Sequence, residues 1–211
     1  MEKQYPQIIF PTSDKMFRAR QGASSATSSS ADGRRVVYPV AQNRHVNSIL
    51  DQTAVPALVS DSVAKKAADV ADRVMEVFAG VGTFCVELFL AKNGEVSVNE
   101  IAPRPHNSGH YTIEGCFANQ FENHIRAIVG LPFGNVDLLQ PTVMRNILGT
   151  RDAPATLCGT ENVYDDPNVH LHLYGKSQSK PGRKLGHLTA IADTPEEAAA
   201  RADAAMALIE I

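Results

Sequence analysis

Residues 84–111 read FCVELFLAKNGEVSVNEIAPRPHNSGHY. Val86, Leu88 and Leu90 alternate with Glu87 and Phe89, and Val96 and Val98 alternate with Ser97 and Asn99. A period of two is the signature of strands. Asn93-Gly94 between the runs is the strongest short hairpin signal, because both central residues of a type I′ turn take positive φ. With those two residues as the loop, Lys92 faces Glu95, Leu90 faces Ser97, Leu88 faces Asn99 and Glu87 faces Glu100. Side chains directly opposed on one face have Cβ atoms roughly 4.5–5.5 Å apart. Two carboxylates so placed repel each other unless a cation lies between them. Asn99 points to the other face unless the strand twists or ends there.

The chemistry that suits such a pair is a hard divalent cation. Mg²⁺ takes oxygen ligands, commonly one or two carboxylates completed by phosphates and water, and Mn²⁺ fits the same set. An acid/base carboxylate pair of the glycosidase kind is the alternative. It lacks the aromatic platforms that sugars stack on, since the chain has no Trp. There is no G-x-x-x-x-G-K-[ST] and no G-x-G-x-x-G, so neither a P-loop nor a dinucleotide fingerprint is present.

The chain of 211 residues is 44% hydrophobic, enough for one large domain or two small ones. A net charge of −3 gives no global basic field, so neither nucleic acid nor a membrane surface is an expected partner. No apolar run is long enough to span a bilayer, and residues 1–10 lack a secretory pattern. The three cysteines, Cys85, Cys116 and Cys158, are widely spaced and odd in number. They point to a reducing, cytoplasmic compartment and to no disulfide framework or zinc site.

Along the chain, residues 7–10 suit a short strand. Residues 22–33, GASSATSSSADG, are small and polar and read as a flexible linker. Residues 35–40 form a strand, followed by a polar turn holding Asn43, Arg44 and His45. A helix capped by Ser60 or Asp61 runs to about Phe78, with Val63, Ala67, Val70, Val74 and Val77 as its apolar stripe. The loop APRPHNSG (102–109) contains prolines that forbid a regular helix, so His106 and His110 are not a helical metal pair. It offers Arg104, His106, Asn107 and Ser108 to a phosphate or carboxylate. Residues 119–129 form a second helix that buries Phe121, Ile125 and Ile128 or Val129. Past a boundary near Gln140-Pro141, strands are expected over 143–148, 169–174 and 184–192. A basic loop at 175–183 lies between the last two. A helix capped by Thr194 ends the chain.

The run VELFLAKNGEVSVNEIAPRPHNSGHYT (86–112) closely resembles the 5-(carboxyamino)imidazole ribonucleotide synthases of purine biosynthesis, which are ATP-grasp enzymes. In fungi and plants this module forms part of phosphoribosylaminoimidazole carboxylase. YPVAQNRH (38–45), QFENHIRAIVGLP (120–132), VMRNILG (143–149) and HLHLYGKSQSKPGRKLGHLT (170–189) extend the match, which runs from about Val36 to the C-terminus. The resemblance implies an α+β fold. It would comprise the C-terminal half of an ATP-grasp domain over 35–140, an antiparallel sheet with helices, and a small β-rich C-terminal domain over 141–211. Residues 1–34 are left as an unmatched, partly flexible segment, without the strand expected before YPV.

The resemblance assigns Glu87 and Glu100 to the Mg²⁺ that binds ATP phosphates. It assigns His45, Asn99 and Glu100 to the nucleotide site. Arg104, His106 and Asn107 take catalytic roles at bicarbonate or carboxyphosphate, and Ser108, Lys176, Arg183 and Lys184 hold the ribonucleotide. The implied partners are ATP, bicarbonate and 5-aminoimidazole ribonucleotide, with a homodimer as the assembly common in the family. An enzyme of this family begins with a Rossmann-like domain and a glycine-rich lid bearing a lysine, and neither is expected within this chain. Three readings follow: a ligase fragment active only with a complementary half, a non-catalytic interaction module of the same fold, and a metallohydrolase using His106 and His110.

Overall fold

The computed structural model describes residues 20–78, 80–91 and 93–211. The strand expected over residues 7–10 lies outside them. The elements in order are β1 (Arg20–Ser29), β2 (Arg35–Val37), β3 (Ala41–Val46), β4 (Ile49–Val55), α1 (Asp61–Val77), β5 (Gly82–Ala91) and β6 (Val96–Ala102). A one-turn α2 (Thr112–Gly115) and α3 (Gln120–Ile128) follow, then β7 (Thr142–Leu148), β8 (Ala153–Pro154), β9 (Val169–Leu173), β10 (Gln178–Ser179), β11 (Lys184–Ile191) and α4 (Pro195–Ala207). One nine-stranded sheet runs β6-β5-β1-β3-β4-β7-β11-β9, with β2 beside the end of β1. All its pairings are antiparallel. The fold is α+β, and β4 pairing with β7 carries the sheet across the expected boundary at Pro141.

The tract read as a linker is the centre of this sheet. β1 pairs with β5 over ten residues, Arg20↔Ala91 to Ser29↔Gly82, and with β3 on its other side. Residues 23–30 are all buried. Composition argues for disorder because such residues bury little apolar surface of their own. Here their neighbours supply the core, and most of the hydroxyls are satisfied, Thr27 Oγ1 being buried without a partner. Ser25 Oγ donates to Tyr38 O (3.0 Å), and Ser28 Oγ shares a 2.7 Å hydrogen bond with Thr83 Oγ1. The strand expected to be missing before YPV is therefore present.

Helix α1 covers one face. Its Ala67, Ala71 and Met75 pack with Ala23, Phe84, Val86, Leu88 and Leu90. Val63, Val70 and Val74 sit at the margin of that core, and Val77 is exposed. On the other face α3 packs against β5 and β1. It is turned opposite to expectation. Phe121, Ile125, Ile128 and Val129 are exposed, and Gln120, Asn123 and Ala127 are buried. The inward polar groups are saturated: Asn123 Nδ2 donates to Tyr38 Oη (2.8 Å), and Asn123 Oδ1 accepts from Gly134 N (2.8 Å). Saturation removes the cost of burying them. A third core joins Val143, Leu188 and Ala190 to Ala198, Ala202 and Ala205 of α4. Thr194 Oγ1 caps α4 by accepting from Glu197 N.

The packing of β1 sets a stability prediction. Ser28 is fully buried, so Ser28→Leu should lower unfolding free energy by about 1–3 kcal/mol through overpacking. Urea titration followed by circular dichroism reads the change; a linker at this position would show none.

Candidate functional site

The hairpin of β5 and β6 departs from the expected register and then returns to it. Leu90 pairs with Val96, Phe89 with Ser97 and Leu88 with Val98, one residue away from expectation. The turn is longer than two residues: Ala91 N donates to Glu95 O and Gly94 N to Ala91 O, with Gly94 at φ 79°. A bulge between Glu87 and Leu88 then takes up one extra residue of β6, so Glu87 pairs with Glu100. The extra residue is Asn99. It does not point away as a regular strand would require: its Nδ2 donates to Glu87 Oε2 at 3.3 Å.

Glu87 and Glu100 lie on a cleft of about 1070 Å³. Asn99, His45, His106 and Lys184 line it with them, and Gly22 and Ala23 of β1 lie beside Gln42 and Asn43 of β3. Small residues leave the space open: Gly22 sits opposite Phe89 and Asn43, and a Cβ there would lie 3.2 Å from Asn43 O. His45 stands on β3 and not in a polar turn.

The electrostatics follow from crowding. Burial first, and then the Glu100 carboxylate, raise the Glu87 pKa, while Asn99 and Lys184 oppose the shift. Burial also depresses the Lys184 ammonium, with Glu87 acting against that and Arg104 adding to it. His106 Nε2 is 3.6 Å from Glu87 Oε1, and its pKa falls to about 4, chiefly by burial and then through Arg104, Lys184 and His45. A carboxylate pair, Glu87 half-buried and Glu100 exposed, beside a neutral imidazole fits a divalent cation well.

The remaining expected residues are spread around this cleft. Ser108 is buried behind His106, its Oγ 2.9 Å from Nδ1. Asn107 exchanges two amide hydrogen bonds with Asn146 (2.9 and 2.7 Å). Arg104 is exposed and donates to Pro105 O. Lys176 and Arg183 are exposed and do not line the cleft. Gln120 was passed over as a site residue. Its Oε1 accepts from His106 N (3.0 Å), and its Nε2 donates to His106 O (2.9 Å). Ser24 was hidden in the linker-like tract, and no periodicity marks it. Around the loop, His110, His172, His187 and Tyr174 stack into a cluster, with His172 and His187 rings 4.5 Å apart. Among the described residues no group of three or more His, Cys, Asp or Glu side chains is arranged for a metal ion.

Two family models match this chain: the ATP-grasp domain over residues 18–121 and the phosphoribosylaminoimidazole carboxylase C-terminal domain over residues 142–201. This chain belongs to the ATP-grasp family, in its N5-carboxyaminoimidazole ribonucleotide synthase branch. The match to the family takes in β1, which the quoted motifs do not. The N5-carboxyaminoimidazole ribonucleotide synthase of Bacillus subtilis is 44% identical over 172 residues, covering 80% of this chain and 43% of that protein. The synthetase of Thermotoga maritima superposes with a TM-score of 0.82 at 40% identity, covering 90% of this chain and 52% of that one. The Aspergillus clavatus synthase, solved with ADP and 5-aminoimidazole ribonucleotide, gives 0.83 at 37% identity, covering 89% and 50%. The chain therefore spans about half the length of the family members it matches. No helix among the described residues is long and apolar enough to cross a membrane.

The buried histidines predict an acid-sensitive family member. His106 and His110 fall to about 4 and His187 to about 3, all mainly by burial. A depressed base binds fewer protons folded than unfolded, so its contribution is full above the unfolded value of about 6.5 and is lost as pH falls toward the folded one. Urea midpoints should fall from pH 7 to pH 4, and His187→Phe should flatten that slope.

Proposed function

We propose that this chain forms one wall of an ATP- and Mg²⁺-dependent carboxylase that joins bicarbonate to 5-aminoimidazole ribonucleotide in purine biosynthesis. The observation that carries the reading is the cleft in which Glu87, Glu100 and Asn99 meet His106 and Lys184. Glu87 and Glu100 would hold Mg²⁺ or Mn²⁺, whose charge offsets that of the nucleotide phosphates. His45 and Asn99 border the same space and would face the nucleotide.

Bicarbonate would attack the γ-phosphate, and the substrate amine would capture the carboxyphosphate formed or the CO₂ it releases. Charge stabilisation dominates such a step. Arg104, His106 and Asn107 would serve the bicarbonate end. Lys176, Arg183 and Lys184 would hold the ribonucleotide, whereas Ser108, expected there too, is buried behind His106 and would act only through it. Lys184 has the strongest support, as a half-buried ammonium beside Glu87. A cytoplasmic location and a homodimer belong to the same reading, and the exposed apolar side of α3 is suited to a subunit contact.

A second reading is a non-catalytic module of the same fold. Calorimetric titration separates the two. The first reading expects heat from ATP-Mg²⁺ at millimolar nucleotide, with Glu100→Gln weakening binding at least about tenfold, or 1.4 kcal/mol. No heat, and Glu100→Gln indistinguishable from the parent, would leave the module reading in its place.

A further inference from the structure

We propose that Asn43, Ser24 and Ser108 form a one-way hydrogen-bond relay holding the His106 ring with its proton on Nε2, directed at the carboxylate pair. As the function proposed above requires of a group facing anions, His106 would then act as a donor to anionic oxygen and not as a base.

The direction of the relay follows from which groups can only donate. The Ser108 backbone N–H points at His106 Nδ1 across 3.4 Å. A nitrogen that receives an N–H presents its lone pair, so it carries no proton. Ser108 Oγ, 2.9 Å from the same nitrogen, must therefore donate its own proton to it. That leaves Ser108 Oγ as an acceptor, and Ser24 Oγ donates to it at 3.0 Å. Ser24 has then spent its proton and accepts from Asn43 Nδ2 at 3.0 Å. The Asn43 carbonyl, so oriented, accepts from Thr53 Oγ1 at 2.9 Å. Every group passes its proton toward the ring.

Burial keeps the order from reversing. Ser24, Asn43, Thr53 and Ser108 are all at most 5% exposed, so water does not compete for their lone pairs. Gln120 clamps the His106 backbone on both its N–H and its carbonyl and prevents the ring from turning away. With Nδ1 occupied, the proton is on Nε2, which lies 3.6 Å from Glu87 Oε1 at the cleft. Asn43, Ser24 and Ser108 are thus positioning residues acting through His106.

The tautomer is readable directly. Long-range ¹H–¹⁵N correlation spectra of the ¹⁵N-histidine-labelled 211-residue chain, assigned by His106→Gln, should show Nδ1 at an unprotonated shift and Nε2 at a protonated one. Asn43→Asp offers Ser24 only acceptors, so the hydroxyl protons turn round and oppose the Ser108 N–H, and Nδ1 should move part-way toward the protonated shift. Ser24→Ala cuts the relay without reversing it and leaves the Ser108 N–H and hydroxyl on Nδ1, so Nδ1 should keep its unprotonated shift. A protonated Nδ1 in the parent chain or in Ser24→Ala overturns the proposal, and so does an unmoved Nδ1 in folded Asn43→Asp. The spectra need neither nucleotide nor metal, so their outcome is separate from that of the ATP titration.

Discussion

The interaction on which the structure depends is the repulsion between Glu87 and Glu100. They sit opposite each other on neighbouring strands, and Glu87 is half-buried. Water cannot fully screen the pair, and the raised pKa of Glu87 records the tension. The Asn99 amide and the Lys184 ammonium relieve part of it, each from a different element. The site is thus assembled from β5, β6 and β11, which stand at opposite ends of the sheet's strand order.

What permits this geometry is a sheet centre almost without bulk. Gly22, Ser24 and Ala26 of β1 lie on the same face as Phe89, Glu87 and Cys85. Larger side chains there would fill the cleft. The hydroxyls of β1 also tie it to β3, to the 106–108 loop and to Thr83, so the centre is held by polar bonds where apolar contact is thin. Each such bond contributes about 1 kcal/mol net, but an orphaned partner in so dry a place costs more.

The carboxylate pair was legible in the sequence because the hairpin alternates and Asn93-Gly94 marks its turn. The agreement hides two departures of opposite sense, a longer turn and a bulge, which cancel at Glu87. The extent of α1, the α4 cap and the strands after Pro141 were legible through simple periodicity and capping, while the α1 stripe lay off-centre, with Ala71 and Met75 buried and Val77 exposed. β1 was not, because its small residues carry no apolar pattern and its burial is imposed by neighbours distant in sequence. The orientation of α3 was misread for a related reason: Gln120 and Asn123 face inward because specific backbone groups await them, and residue type does not show that. Lys184 lines the cleft as the family motifs suggest, and Lys176 and Arg183 remain on the exposed loop beside it.

The bulge at Asn99 also changes what β6 can tolerate. Val98 and Glu100 are two residues apart and would share a face in any regular strand. Here Val98 pairs with Leu88 on the α1 side, and Glu100 pairs with Glu87 on the cleft side. The strand changes parity half-way along. Loss of a single codon at position 99 would therefore leave a regular strand in which Val98 still faces Leu88 and Glu100 still faces Glu87, without the Asn99 amide on Glu87. A codon lost at position 97, with Glu100 held opposite Glu87, would instead put Val96 opposite Phe89 and out of the α1 core.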